Sequence, residues 1–221
     1  MTDNIFQTNT LPTFPRGLVR IPKTLPLRYQ TPPEWAEGVL LEPLELLSDQ
    51  AYLEKKAANN ALEFLNLWPS AGPPDHWLSS IATIAQDETS HLKAVLKLLE
   101  KKGGVLARSH KNPYALDLRT LVRKGKGGQE LADRLLVSAL IEARSCERFE
   151  RLAESSKDSE LSKFYAGLIA SENGHYQLFV DMAMKVLAPR EVENRWDKLL
   201  EEEAKIIQAQ ASGPRIHSGT L

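Results

Sequence analysis

Six residues of this chain have types and spacing suited to chemistry: Glu54, Glu88, His91, Glu142, Glu172 and His175. In order they read Glu, Glu-x-x-His, Glu, Glu-x-x-His, with a spacing of 34 from Glu54 to Glu88 and 30 from Glu142 to Glu172, a degenerate internal repeat. A separation of three on a helix turns two side chains by about 300°, so the Glu and His of each motif share a face and can hold one metal ion together. Single glutamates on opposing helices then bridge or cap the two ions. Hard carboxylates with one imidazole per metal suit iron or manganese better than the nitrogen and sulfur sites of zinc.

The elements that must position these residues follow from apolar periodicity. From about Pro43 to Trp68, Leu47, Ala51, Ala58, Ala61 and Leu65 recur at three and four, and Glu54 falls on their stripe. A second helix starts near Pro74 and Asp75 and ends at Gly103 and Gly104; Ile81, Ile84, Ala85, Leu92, Val95 and Leu99 make its stripe, continued by Glu88 and His91. A third, from about Gln129 to Ala153, places Glu142 seven residues from both Leu135 and Phe149. A fourth, from about Asp158 to Leu187, carries Glu172 and His175 between Leu168 and Phe179. A carboxylate on a core face is expensive unless its charge is compensated. Four such faces with four carboxylates and two imidazoles therefore imply a metal site, whereas one Glu-x-x-His alone would be weak. The other histidines, His76, His110 and His217, lie near helix starts or in loops.

Other glutamates compete less well. Glu147 groups with Leu140 and Arg151 on a different face, Glu63 neighbours Asn59, Asn60 and Asn66, and Glu150 is a further rival in the third helix. Cys146, one turn beyond Glu142, is expected either to reach the metal pocket or to pack as a small hydrophobe. Tyr52, Tyr165 and Tyr176 are expected to pack, with a radical role the alternative.

The rest of the chain bounds the reading. At 221 residues, 42% hydrophobic and 26% charged, one well-buried domain spanning 1–221 is expected. Residues 1–33 suit an extended arm, a short helix follows Pro113 inside the long connection, a fifth amphipathic helix runs beyond Pro189, and 212–221 reads as a loose tail. No strand pattern competes, so the fold class is all-α. No secretory leader or membrane span is legible, so the expectation is a soluble, cytoplasmic protein with no membrane partner. A single cysteine excludes an intrachain disulfide and an iron–sulfur cluster, so electrons must come from an external reductase. The net charge of −1 hides an uneven distribution: Lys101–Lys126 holds eight basic residues against Asp117 alone.

SDQAYLEKKAANNALEFL, QDETSHLKAVLKLLEKKGG, LIEARSCERFERLA and SENGHYQLF closely resemble the tRNA 2-methylthio-N6-isopentenyladenosine hydroxylases, MiaE, over about Thr31–Leu187. The resemblance implies a ferritin-like four-helix bundle with a long crossover connection and an added C-terminal helix. It also implies a non-haem di-iron monooxygenase that uses two iron ions and O2 to hydroxylate the isopentenyl group beside the tRNA anticodon. In that light Arg108, Lys111, Arg119, Arg123, Lys124 and Lys126 are expected to hold the anticodon arm through its phosphates. One rival reading is a ferroxidase or peroxide-reducing protein without an organic substrate, against which a cavity before the metals would speak. Another is a helical interaction module with a structural or lost metal site.

Overall fold

The computed structural model describes residues 25–70 and 72–220. The described residues form seven α-helices and no strand: α1 Pro33–Val39, α2 Pro43–Glu63, α3 Trp77–Lys101, α4 Pro113–Thr120, α5 Gly128–Ser155, α6 Ser159–Val186 and α7 Pro189–Gln208. The hairpin α2–α3 packs on the hairpin α5–α6 as a four-helix bundle. α4 lies in the crossover and α7 packs on α4, α5 and α6.

Helix boundaries follow local chemistry. Pro43, Pro113 and Pro189 occupy first-turn positions, where the missing N–H costs nothing. Asp158 caps α6 by accepting from the Glu160 and Leu161 amides, and α3 stops where Gly103 takes a φ of 77°. The first long helix is shorter than its periodicity suggests: α2 ends at Glu63 and tightens into a 3-10 turn over Phe64–Asn66. The seven-residue α1 has no periodic signal in the sequence, yet it buries Trp35, Ala36 and Val39.

The core is two apolar clusters, one at each end of the bundle. The first joins Phe64, Ile81, Ile84, Leu135, Ala139 and Phe179; the second joins Leu47, Ala51, Val95, Phe149, Leu161 and Leu168. In each of the four long helices the candidate carboxylate falls at the seam between these clusters. Glu54, Glu88, Glu142 and Glu172 are therefore enclosed from both ends.

α7 is held by buried charge. Arg144 donates to both Glu203 oxygens at 2.8 and 2.9 Å, to Glu147 at 3.0 Å and to the Tyr29 carbonyl at 3.0 Å, while the Tyr114 hydroxyl donates to Glu203 at 3.0 Å. Removing one partner of such a group leaves an uncompensated charge, at a cost of about 3–5 kcal/mol. Of the extended arm, residues 1–24 lie outside the described residues. Over 25–32, Leu27 and Thr31 are buried, and Thr31 donates to Glu147 through its amide and hydroxyl at 2.7 and 2.6 Å.

The segment expected as a loose tail is instead packed into the protein. Ile216, His217 and Ser218 are buried; the Ile216 amide donates to Asp49 at 2.9 Å, Arg148 donates to the Ser218 carbonyl at 3.2 Å, and the Trp35 indole donates to the Ser218 hydroxyl at 3.0 Å. The partners lie far off in sequence, which is why composition misleads here. At Gly219 a Cβ would stand 1.9 Å from the Gln210 carbonyl oxygen. Gly219→Ala is expected to cost about 1–3 kcal/mol by overpacking. Denaturant unfolding and limited proteolysis should show a lower midpoint and a newly cleavable C-terminal segment.

Candidate metal centre

All six sequence-expected residues converge. Their side-chain atoms form two groups, Glu54–Glu88–His91–Glu172 and Glu88–Glu142–Glu172–His175, with the candidate ligand atoms of each group within 4.8 Å of one another. Glu88 and Glu172 are common to both groups, whereas Glu54 sits only with His91 and Glu142 only with His175. Each Glu-x-x-His glutamate is thus within reach of both groups, and each single glutamate of one.

The residues fit metal ions by their unused valences. Glu88 Oε1, His91 Nδ1, Glu172 Oε1 and His175 Nδ1 are buried without a hydrogen-bond partner. Nδ1 of His175 lies 2.7 Å from Glu88 Oε1, and Nδ1 of His91 lies 3.3 Å from Glu172 Oε1, close but not aligned for hydrogen bonding. Native interiors rarely tolerate such orphans, and these point at one another.

Surrounding groups set orientation. Asp87 lies 3.2 Å from His175 Nε2 on the side away from the cluster, which fixes the ring with the Nδ1 lone pair inward. Gln50 donates to Glu54 at 2.9 Å. Burial first, then the charges of Glu142 and Glu54, push the Glu88 carboxyl well above the ordinary range. Burial, then Glu142 and Glu88, do the same to Glu172. At His91 burial opposes protonation, but the nearby Glu54 carboxylate, 3.7 Å from Nδ1, prevails and raises its pKa.

A cavity of about 630 Å3 opens onto this cluster. The four carboxylates line it and the two histidines stand behind them. Leu53, Ala57, Val137, Ile141 and Phe149 give it apolar wall, while Lys56, Lys111, Arg119 and Lys124 bring positive charge to its exposed part. Two further histidines of the wall were missed by sequence reasoning. His217 lines the cavity, its Nε2 is 3.2 Å from the hydroxyl of Ser145, and its ring packs on Tyr114 at 4.6 Å. His110 lines it too, held 2.7 Å from Asp49. Only an unpaired histidine in a loop marked either one.

The other candidates sort differently. Glu147 is committed to Arg144 and Thr31, and Glu63 lies 3.3 Å from Arg134. Cys146 is no pocket residue: it is absent from the cavity wall, its thiol faces the Ile169 carbonyl at 3.6 Å, and burial pushes it up to about 12. Tyr165 packs between Phe149 and Phe164, Tyr176 on Trp196, and Tyr52 on His110. Among the basic residues, Arg123 departs from expectation. Its guanidinium and amide donate to Asp133 at 2.8–2.9 Å, so it ties the crossover to α5. Lys101 and Lys102 likewise pair with Glu160 and Asp158. Arg108, Lys111, Arg119, Lys124 and Lys126 are exposed and have no carboxylate partner among the described residues.

In metal-free protein, the raised pKa values of Glu88 and Glu172 mean that the folded state keeps protons which the unfolded chain releases. Stability should therefore fall as pH rises from the ordinary carboxylate range through the raised values, by about 1.4 kcal/mol per pH unit for each proton retained. Urea unfolding of metal-free protein between about pH 5 and 8 should show this slope, and Glu88→Gln should reduce it.

The family described as tRNA-(MS[2]IO[6]A)-hydroxylase (MiaE) matches residues 19–218. A tRNA 2-(methylsulfanyl)-N(6)-isopentenyladenosine(37) hydroxylase of Pseudomonas putida is 34% identical over 191 residues, covering 86% of this chain and 90% of its own. The enzyme of that name from Salmonella typhimurium is 30% identical over 142 residues, covering 64% of this chain and 52% of its own. A solved structure titled "Protein 43 with aldehyde deformylating oxygenase activity from Synechococcus" superposes with a TM-score of 0.81 at 31% identity, over 88% of this chain and 96% of that one. The bundle is thus of the ferritin-like di-iron type. With the family matched across nearly the whole described chain and the paired Glu-x-x-His helices closing on one buried cluster, this protein belongs to the MiaE family.

Proposed function

We propose that this protein is a non-haem di-iron monooxygenase that hydroxylates the isopentenyl group of 2-methylthio-N6-isopentenyladenosine in tRNA, beside the anticodon. The observation that carries the reading is the cavity joining exposed cations, which have no carboxylate partner among the described residues, to a buried cluster of four carboxylates and two histidines. A ferroxidase needs no such cavity, and an interaction module gives no reason for the orphaned ligand atoms.

Glu54, Glu88, His91 and Glu172 would hold one iron, and Glu88, Glu142, Glu172 and His175 the other. When bound, the iron pair supplies the reduction of dioxygen: one oxygen atom enters the substrate C–H bond as hydroxyl, and the other leaves as water with two protons and two external electrons. Among the described residues the single cysteine is buried and unpaired, which suits electron delivery by a separate reductase.

The chain's own residues do the rest. Carboxylates face the substrate side and can change binding mode as the ionic charge changes, while the histidines, one backed by Asp87, stay fixed behind. Leu53, Ala57, Ile141 and Phe149 offer an apolar lining to a prenyl chain and exclude water from the reacting carbon. Lys111, Arg119 and Lys124 at the mouth, with Arg108 and Lys126 beyond it, suit phosphates of the anticodon arm. RNA loops are read by taking out an unstacked base while the backbone is held by charge. No described helix is long and apolar enough to cross a membrane, and a tRNA substrate is in keeping with work in the cytoplasm.

Iron-loaded protein incubated with tRNA, oxygen and a reductant should convert the isopentenyl nucleoside to its hydroxylated form, read by nucleoside analysis. Unchanged tRNA in the presence of reducible bound iron, above all with turnover of a long-chain aldehyde instead, would reject the assignment. Glu88→Ala should abolish binding of both ions, whereas Glu54→Ala or Glu142→Ala should remove no more than one, measured as iron per chain.

A further inference from the structure

Lys56 stands at the cavity mouth on α2, outside the basic crossover. Its ammonium group donates to His110 Nδ1 at 2.8 Å, and His110 Nε2 donates to Asp49 Oδ1 at 2.7 Å. An ammonium has only protons to give, so Nδ1 accepts and the imidazole carries its proton on Nε2. The second Asp49 oxygen accepts from the Ile216 amide at 2.9 Å, which anchors the chain of contacts in the packed C-terminal segment. The imidazole is further clamped by the Tyr52 ring, stacked at 5.0 Å and 3°, whose hydroxyl donates to the Ala107 carbonyl at 2.6 Å.

Contacts from α2, the crossover and the C-terminal segment thus fix the direction of one exposed lysine that has no carboxylate within ion-pair distance among the described residues. Orienting an exposed cation in this way adds little to stability. A cation held in place, facing a cavity and near a second cation, Arg119, instead suits an anion that arrives from solution. Asp49 attracts Lys56 from across the imidazole, but its two oxygens already accept from His110 and the Ile216 amide; of the acidic cavity residues outside the metal cluster, Glu63 lies 3.3 Å from Arg134 and Glu130 accepts from the Gly125 amide at 2.6 Å.

We propose that Lys56, oriented by Asp49 and His110, forms with Arg119 a phosphate subsite at the cavity mouth, where it anchors the backbone phosphate next to the nucleotide whose base enters. This rests on the reading of the substrate as RNA. Lys56 and Arg119 supply the charge. His110 is a positioning residue: it sets where the phosphate sits, and so how deep the base reaches.

The test compares iron-loaded wild type, Lys56→Ala, Lys56→Arg, His110→Ala and Arg119→Ala, each checked for iron content and thermal unfolding, on a hairpin RNA carrying the prenylated adenosine in its loop. Lys56→Ala should weaken RNA binding on the order of tenfold and lower the slope of log affinity against log salt by about one, with kcat nearly kept. Lys56→Arg should restore most of the affinity. His110→Ala, which removes no positive charge at the mouth, should still raise KM severalfold. Inorganic phosphate should compete with RNA for wild type and not for Lys56→Ala, and loss of Lys56 should raise KM for the free prenylated nucleoside, which has no phosphate, far less than KM for the RNA. Wild-type affinity and salt slope in both Lys56→Ala and Arg119→Ala would overturn the subsite, and an unchanged KM in His110→Ala would overturn its positioning role. If phosphate and RNA bind through Lys56 while wild type hydroxylates nothing, the subsite stands and the hydroxylase reading falls.

Discussion

Four carboxylates enclosed within one layer of an apolar bundle repel one another, and water cannot solvate them there; this conflict governs the structure. It is relieved by protons, which the raised pKa values of Glu88 and Glu172 record, or by cations. The apolar clusters above and below the seam hold the carboxylates together despite their repulsion. Asp87 and Gln50 fix the orientation of ligand-bearing side chains from outside the cluster. The protein therefore spends part of its folding free energy on a site that is unfavourable until filled, which is how preorganisation for a metal is achieved.

Around this constraint the cluster is pseudo-symmetric but its surroundings are not. The two hairpins contribute equivalent ligand sets, yet the cavity opens beside α2 and α5, and its wall is completed by the crossover and the C-terminal segment. A symmetric pair of hairpins can hold ions. Only the added parts create a directional approach to them, with hydrocarbon near the carboxylates and positive charge outside. The buried Arg144–Glu203 pair matters to function for this reason, since it holds α7 and the arm against the helix that carries Glu142.

The bundle and its six central residues were legible in the sequence because each is a periodic feature or a violation of one. A glutamate between Ala51 and Ala58, or between Leu135 and Phe149, is anomalous from the pattern of its neighbours alone. What could not be read depends on contacts between distant segments. The chain around Ile216 is polar and glycine-containing, and only Asp49, Arg148 and Trp35 reveal that it is packed. Arg123 and Lys124 are adjacent and alike in sequence, but a turn brings Asp133 to the first and leaves the second open. His110 and His217 have the look of loop histidines, since nothing local marks the cavity they line. α1 escapes notice because seven residues between prolines are too few to show a period.

The division of the ligands between two hairpins also orders the events of folding. α5 and α6 are joined by three residues and α2 and α3 by thirteen, so each hairpin can form early from its own contacts, whereas α3 and α5 are separated by the longer crossover and must dock later. A lone hairpin carries three of the six residues, and each of the two groups draws on both hairpins. Metal capture therefore belongs to the docking step. A chain arrested with its halves apart would keep nearly all its helix while retaining neither complete ion position.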